Sequence, residues 1–240
     1  MQPSARLTAR KFSTDDAGLP AHAQTYLRLR DMVLYGDLTP GQAVTIQGLT
    51  TRLGAGMTPV REAIRRLISQ GALEFQGNRR VSVPQLGAAD IDEIIVAREW
   101  LDPFLARRAL EHATAADIAA LERIDGALDG AIRQGDLRAY LHLNHQFHRS
   151  LYELASSPIL GDLAEGLWLR FGPAMRVLCG RLGTQSLRDN HKDLLAAMRA
   201  GNADAAAAAI AADVRQGMDQ LRASLEEAAK EGRQGGAQAK

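Results

Sequence analysis

A short basic helix, predicted between residues 56 and 67, constrains the fold of this chain more than any other segment. Its apolar side chains recur at the spacing of one helical face: Val60, Ala63, Ile64 and Leu67. The opposite face carries three arginines: Arg61, Arg65 and Arg66. Thr58 is predicted to cap the helix start, and Pro59 suits the first turn. Such a helix is either an amphipathic helix with a solvated face or the DNA-reading helix of a helix-turn-helix, and its flanks decide between them.

The flanking segments complete the pattern of a winged helix-turn-helix. Upstream, a helix is predicted over residues 21–35, and a second short helix passes through Leu49 and Leu53. Downstream, two runs with β-strand composition, residues 72–76 and 80–83, are joined by a short turn. Three helices followed by a basic hairpin are typical of a domain that binds double-stranded DNA.

These residues resemble the N-terminal signature of the GntR family of bacterial transcriptional regulators. The matching segments are Leu29-Arg30, Gly36 to Gly41 (G-x-L-x-P-G), Thr58 to Leu67 (T-P-V-R-E-A-I-R-R-L) and Arg79-Arg80 of the wing. The resemblance implies a DNA contact surface formed by Gln47, Thr58, Arg61, Arg65, Arg79 and Arg80. Gly56 and Met57 stand where the family usually has Ser and Arg, so the operator sequence of relatives does not carry over.

Charge is divided unevenly along the 240 residues. Residues 1–86 carry 11 lysines and arginines against 6 acidic residues, whereas residues 87–240 carry 18 against 22. A basic first part and an acidic remainder fit a DNA-binding domain followed by a domain with another task. No apolar stretch is long enough to span a membrane, and residues 1–19 lack the apolar core of a signal peptide. We therefore expect a cytoplasmic protein without a membrane partner.

The sequence pattern predicts two domains. Residues 1–19 are expected to form a flexible tail, 20–84 the winged helix-turn-helix, 85–89 a linker, 90–228 a helical domain and 229–240 a disordered tail. Helical spacing of apolar residues predicts six helices in the second domain: 90–112, 115–134, 136–156, 158–180, 185–200 and 203–228. The predicted fold class is mainly α, an N-terminal winged helix-turn-helix plus a C-terminal all-α helical bundle.

Polar side chains fall on the apolar faces of four of these helices: Arg98, Asn144, His148, His191 and Asp213. An unpaired buried polar group costs about 1–3 kcal/mol, so each of these side chains must be hydrogen-bonded or bind an ion. Asn144 and His148 are four residues apart on one helix, so their side chains lie one above the other. This spacing fits either separate hydrogen-bonded histidines or one metal site in a shared polar cavity.

The second domain resembles the FCD domain that accompanies this type of DNA-binding domain. Metal-binding members carry D-x-x-F-H on one helix and two later histidines. The resemblance implies a divalent metal, Zn²⁺ or Ni²⁺, held by Asn144, His148, His191 and Asp213. Two of these four residue types differ from the family pattern, but one carboxylate and two imidazoles remain. The other histidines are interpreted as non-ligands: His22, His112, His142 and His145.

Three functions are compatible with these observations. In the first, a homodimer binds a palindromic DNA operator and responds to a small carboxylate effector, which a metal and Arg98 bind together. In the second, the DNA-binding role is kept, but a metal-free pocket holds an acyl or amphipathic effector. The third is a metal-dependent hydrolase, which lacks a general base at a motif spacing such as H-E-x-x-H and leaves residues 20–84 unexplained.

Overall fold

The structure is a computed structural model that describes residues 18–77, 80–182 and 190–238. The first domain consists of α1 (Ala21–Leu34), β1 (Ala43–Val44), α2 (Ile46–Leu53), α3 (Met57–Ser69), β2 (Glu74–Gln76) and β3 (Arg80–Ser82). The second domain consists of α4 (Ala88–His112), α5 (Ala115–Gln134), α6 (Leu137–Leu154), α7 (Pro158–Leu182), α8 (Asn190–Arg199) and α9 (Ala203–Gln238). The predicted fold class, a winged helix-turn-helix plus a helical bundle, is confirmed.

The helix-turn-helix is formed by α2 and α3, which pack on each other while α1 packs on α3. The Thr45 hydroxyl accepts a hydrogen bond from the Gly48 amide at 3.0 Å and so caps the start of α2. At its end, Gly54 adopts the left-handed conformation with φ of 59°, which a glycine adopts without strain. These two caps fix the length of α2 and the direction of the turn into α3.

The start of α3 differs from the prediction. Gly56, and not Thr58, occupies the N-cap position, and it provides no side-chain hydrogen bond. Thr58 lies within the first turn, where Pro59 is also accommodated because the first amides of a helix have no intrahelical acceptor. The prediction assumed that a hydroxyl residue would end the turn, but the extended backbone of Gly56 does so without one.

The wing is the three-stranded antiparallel sheet of order β1-β3-β2. Strands β2 and β3 form the predicted hairpin, with Phe75 opposite Val81. Strand β1 pairs with the other edge of β3, with Val44 opposite Val81. This third strand ties the wing to the segment that leads into α2, so the hairpin is held against the helix-turn-helix.

The helices of the second domain begin close to their predicted positions because capping residues near each start determine where the helix begins. Asp90 accepts a hydrogen bond from the Gly87 amide at 2.7 Å, so α4 begins two residues before the predicted start. Thr114 and Asp117 form a capping box at the start of α5. Residues 185–189, where the fifth predicted helix of this domain begins, lie outside the described residues.

The last helix, α9, extends to Gln238 and therefore into the segment for which a disordered tail is predicted. This segment contains alanine, glutamate, lysine and glutamine, which are strong helix formers, but also Gly232, Gly235 and Gly236, so helix propensity alone does not account for the continuation. The predicted flexible N-terminal tail falls almost entirely on residues 1–17, outside the described residues. Among the helices that the structure describes, none combines the length and the apolar character needed to cross a bilayer.

Helix α7 joins the two domains, since it packs on α1 as well as on α4, α6 and α9. A Cβ atom at Gly172 of α7 would lie only 2.5 Å from the carbonyl oxygen of Leu34 at the end of α1. The two helices therefore approach each other to a distance that only glycine permits at this position. Beside this contact, Arg138 of α6 forms an ion pair with Asp37 at 3.1 Å.

Candidate functional site

The predicted DNA contact residues lie on one domain, and those within the described ranges are exposed: Gln47, Thr58, Arg61, Arg65 and Arg80. Arg79 lies outside the described residues. Arg66 is different, because its guanidinium stacks over the Tyr26 ring at 3.7 Å and faces the second domain. The basic face of α3 therefore consists of Arg61 and Arg65, and Arg66 belongs to the packing between α1 and α3.

The N-terminus of α3 lies on the same surface. Its first turn contains no acidic residue, and Gly56 contributes no side-chain cap. The free amides of this turn and the positive end of the helix dipole are therefore available to a phosphate group. Together with Arg61 and Arg65, they form a cationic surface of the kind that binds the backbone of double-stranded DNA.

A small cavity in the second domain brings together four of the predicted site residues. Arg98, Asn144, His148 and Asp213 line one cavity of about 50 Å³. Helices α4, α6, α7 and α9 enclose it, and its apolar lining includes Trp168 and Phe171. A cavity of this size has room for at least one water molecule or a small polar group.

His148, His191 and Asp213 form a cluster whose ligand atoms all lie within 4.8 Å of one another. His148 Nε2 is 3.1 Å from Asp213 Oδ2, and His191 Nε2 is 3.7 Å from Asp213 Oδ1. Both imidazoles are buried, and the carboxylate is partly exposed. Two imidazoles and one carboxylate at this separation are a donor set for a divalent transition metal.

Both domains match known protein families. Residues 93–216 match the FCD domain family, and residues 21–83 match the family described as bacterial regulatory proteins, gntR family. The chain is 33% identical over 175 residues to the HTH-type transcriptional regulator McbR of Escherichia coli K12, a match that covers 72% of this chain and 79% of McbR. It is 25% identical over 148 residues to the repressor RspR of that strain, covering 62% of this chain and 65% of RspR.

The solved structure of E. coli McbR/YncC is similar to this one, with a TM-score of 0.80 at 29% identity, covering 86% of this chain and 99% of that one. The chain belongs to the GntR family and carries an FCD domain. The predicted resemblance is thus confirmed. A GntR regulator from Rhodococcus sp. RHA1 shows the same fold, with a TM-score of 0.69 at 21% identity over 83% of this chain and 96% of that one.

As a GntR protein, the chain is a DNA-binding transcriptional regulator with an effector-binding C-terminal domain, and not an enzyme. This excludes the hydrolase among the three functions that the sequence left open. The His148/His191/Asp213 cluster then belongs to the regulatory domain of the GntR regulator, and its chemistry concerns binding.

Electrostatics favour a charged Asp213 carboxylate and a neutral His148 imidazole in this cluster. Burial by itself raises the pKa of Asp213, but His191, His148 and Arg98 outweigh it and lower this pKa to about 2. Burial lowers the pKa of His148, and the opposing effect of Asp213 does not cancel this. At neutral pH, Asp213 is thus ionised and His148 is neutral, which are the protonation states that bind a metal.

Asp125 of α5 contacts the His191 ring at Nδ1, the ring nitrogen that does not face Asp213. Its Oδ1 lies 3.2 Å from His191 Nδ1, and both side chains are buried. A carboxylate that accepts the Nδ1 proton fixes the ring orientation and directs Nε2 towards Asp213. Asp125 was not predicted as a site residue, although it lies between Leu121 and Leu128 on the apolar face of α5, the same kind of position that identified His148.

The guanidinium of Arg98 is more constrained than the sequence analysis assumed. Its Nε and Nη2 donate to Asp102 Oδ2 at 3.0 and 2.6 Å, and its plane lies near the rings of Trp168 and Phe171. Arg98 and Asp102 are both fully buried. One edge of the guanidinium is thus occupied by Asp102, and the guanidinium also hydrogen-bonds the side chain of Tyr152.

His145, interpreted from the sequence as a non-ligand, is buried at the junction of the two domains. Its side chain is 1% exposed, with Nδ1 at 3.2 Å from the Tyr35 hydroxyl and Nε2 at 3.0 Å from Glu165 Oε1. Helix α6 therefore has two buried faces, because α7 and the end of α1 cover the side that a single bundle would leave in solvent. The sequence pattern of α6 gave no signal for this second contact.

Proposed function

We propose that two copies of this GntR regulator bind a palindromic operator and that a small carboxylate, bound through a metal ion in the FCD cavity, changes their affinity for it. The observation that carries the proposal is the cavity itself. Arg98, Asn144, His148 and Asp213 line it together, and His191 adds a third side chain to His148 and Asp213 that could hold a metal ion. Since operator DNA is the partner, we place the regulator in the cytoplasm.

Binding to DNA is assigned to α3 and the wing. Arg61 and Arg65 on α3 would enter the major groove, while Thr58, Gln47 and the wing residues Arg79 and Arg80 would contact the backbone or flanking bases. An arginine that forms a bidentate contact with guanine contributes about 1–3 kcal/mol of sequence discrimination. Two copies are needed because a single recognition helix reads too few base pairs for useful selectivity.

Selection of a preferred operator from random DNA, followed by titration in a fluorescence anisotropy assay, tests this assignment. Arg61→Ala should weaken binding to the selected operator by roughly 5- to 150-fold and relax base preference. The matched control is Arg123→Ala, which removes an exposed arginine from the second domain. Equal affinities of Arg61→Ala and Arg123→Ala for the operator would contradict the assignment of α3 to the groove.

The donor set of the cavity fits a metal ion. His148 Nδ1 is buried and has no hydrogen-bond partner, so the ring lacks the full set of contacts that a purely structural histidine would be expected to make. His148, His191 and Asp213 would hold Zn²⁺ or Ni²⁺, and the Asn144 oxygen would add a weaker ligand from the adjacent turn of α6. When bound, the metal would supply a positive centre with open positions for an effector oxygen.

The charges of the cavity indicate the effector class. Arg98, His148 and Asp213 line it, and a carboxylate bound through a metal ion suits this lining better than an acyl chain does. Arg98 lines the cavity, so its positive charge would attract that carboxylate. A small organic acid is therefore the effector class that the described residues fit best.

Contacts within the protein suggest how the cavity communicates with the DNA-binding domain. The Trp168 ring lies 5.2 Å from the His148 ring and 5.1 Å from the His145 ring. His145 in turn contacts Tyr35, at the C-terminus of α1. A ligand that repositions His148 or Arg98 would press on Trp168 and so alter the packing of His145 against the winged domain.

Metal analysis and effector titration of purified protein test the binding proposal. His191→Ala should lose the metal and the effector response while its effector-free operator affinity stays nearly unchanged. His112→Ala, which removes an exposed histidine at the end of α4, is the matched control. Coupling of this kind is typically 5- to 150-fold in operator affinity and must be reciprocal. A full effector response in His191→Ala would overturn the proposed role of the cavity.

A further inference from the structure

An open cleft of about 1040 Å³ lies between the winged domain and the second domain. Residues of α1 and α3 form one wall, and residues of α4, α6 and α7 form the other. Sites that bind drug-sized ligands typically measure about 300–1,000 Å³, so this cleft is large enough for a whole small molecule. The FCD cavity, at about 50 Å³, is far smaller, and none of the described residues that line it also lines the cleft.

Two arginines line this cleft without a carboxylate partner. Arg66 of α3 stacks over the Tyr26 ring, and Arg170 of α7 reaches the end of α3. The second contact is close, since a Cβ atom at Gly71 would lie 2.7 Å from Cζ of Arg170. Within the described ranges, neither guanidinium forms an ion pair or a side-chain hydrogen bond, so both positive charges are available to a ligand.

Most other charged groups of the cleft are engaged within the protein. Four lining residues have a partner: Arg30 with Asp31, Arg149 with Glu153, Glu165 with His145, and Asp90 with the Gly87 amide. Two carboxylates, Glu93 and Asp162, form no ion pair in the part of the chain that the structure describes. Asp162 precedes Arg170 by eight residues, which is about 12 Å along α7. The cleft therefore has a cationic end at α3, formed by Arg66 and Arg170.

Apolar side chains also line the cleft. Leu163 of α7 is 57% exposed there, which is unusual surface for a leucine inside a concave site. Five further apolar residues from four segments join it: Leu27, Leu86, Ile94, Ala97 and Leu167. A ligand with an apolar body and one anionic group suits this lining, because the body covers the leucines while the anion meets the arginines.

We infer that this cleft is a second small-molecule site, which binds an organic anion with an apolar body and thereby changes operator affinity. The ligand contacts Arg66, Ser69 and Gln70 of α3 on one side and Arg170 of the second domain on the other. A ligand that bridges the two domains stabilises one arrangement of α3 relative to the second domain. Its effect on DNA rests on the proposed placement of α3 in the major groove, but its binding needs neither a metal ion nor an effector in the FCD cavity.

Tyr152 connects the cleft to the FCD cavity. It lines the cleft, and its hydroxyl accepts a hydrogen bond from Nε1 of Trp168 at 3.2 Å. Trp168 and Arg98 line the FCD cavity, and Arg98 also hydrogen-bonds Tyr152. A ligand in the cleft thus contacts a side chain that is bonded to two residues of the FCD cavity. Ligands at the two sites should therefore change each other's affinity, and by the same factor in both directions.

Protection from alkylation locates the ligand, with the fluorescent anion anilinonaphthalene sulfonate as the probe. Cys179 is the single cysteine of the sequence and is buried, so the variants are made in a Cys179→Ser background. Leu163→Cys places a thiol in the cleft, and Ile159→Cys, one turn earlier on α7, places one at a 77% exposed residue that does not line it. Probe at ten times its dissociation constant should slow alkylation of Leu163→Cys by iodoacetamide about 10-fold and leave Ile159→Cys unchanged.

Titrations with the same probe test the charges and the effect on DNA. Arg170→Ala should weaken probe binding roughly 10-fold, whereas Arg123→Ala, which removes an exposed arginine of α5, should not. Saturating probe should change operator affinity by roughly 5-fold or more, in His191→Ala as well as in the parent.

The outcomes separate this inference from the proposed function. Unprotected Leu163→Cys, or equal probe affinities of Arg170→Ala and Arg123→Ala, would overturn the site. Protection of Leu163→Cys with an unchanged operator affinity would overturn its effect on DNA. If Arg61→Ala kept full operator affinity, the placement of α3 would fail, while protection of Leu163→Cys would still establish the ligand site.

Discussion

Removal of the Tyr35 hydroxyl is expected to weaken the contact between the two domains. With Glu165 ionised, His145 Nε2–H donates to its carboxylate, and in the neutral ring Nδ1 accepts from the Tyr35 hydroxyl. Burial raises the pKa of Tyr35, so the phenol keeps its proton. Tyr35→Phe keeps the ring but leaves the buried Nδ1 of His145 without its partner. The expected loss is about 1–3 kcal/mol in the free energy of unfolding.

A double-mutant cycle with His145→Ala isolates this hydrogen bond from the packing of the two rings. Once His145 is absent, Tyr35→Phe should cost almost nothing, so the coupling energy should be about 1–3 kcal/mol. Unfolding in urea and limited proteolysis of the segment between the domains measure the loss. Tyr26→Phe is the control, because the Tyr26 hydroxyl donates to Gln70 within the winged domain at 2.9 Å. Equal costs of Tyr35→Phe with and without His145 would refute the interdomain hydrogen bond.

Three further predictions follow from the second domain. Asp125→Asn should lower metal affinity by roughly 10- to 100-fold because Asp125 orients His191. Asp129→Asn on the same helix breaks only a surface ion pair with Lys192 and should leave metal affinity unchanged. Isothermal titration calorimetry measures the metal affinity of both variants. Because the pKa of Asp213 is lowered from 3.8 to about 2, its ionised carboxylate should stabilise the metal-free fold by roughly 2 kcal/mol above pH 3.8. This contribution should be lost as the pH falls through 2. Urea unfolding at pH 7 should therefore show Asp213→Asn to be less stable than the parent by a similar amount. Burial raises the pKa of the Cys179 thiol to about 11, so alkylation by iodoacetamide at pH 8, followed by mass spectrometry, should require unfolding.

The sequence by itself determined the features that depend on neighbouring residues. Helical spacing and local capping residues located most helices to within a few positions, as Thr114 does for α5 and Gly135 for its end. The T-P-V-R-E-A run identified the second helix of the helix-turn-helix and, through it, the family. The inward positions of Arg98, His148 and Asp213 also followed from spacing, because a helix places residues three or four apart on one face.

The tertiary structure decided everything that depends on which surfaces meet. His145 is buried only because α1 and α7 cover a second face of α6, and the spacing of apolar residues within α6 does not indicate that contact. The pairing of Arg98 with Asp102 and the approach of Asp125 to His191 depend on the rotation and offset of packed helices. Trp100 appears in the sequence as an ordinary apolar residue of a helix, and its exposure emerges only when α6, α7 and α9 occupy the other side of α4. Periodicity fixes the faces of each helix, but the packing of all helices together determines which face is buried against which.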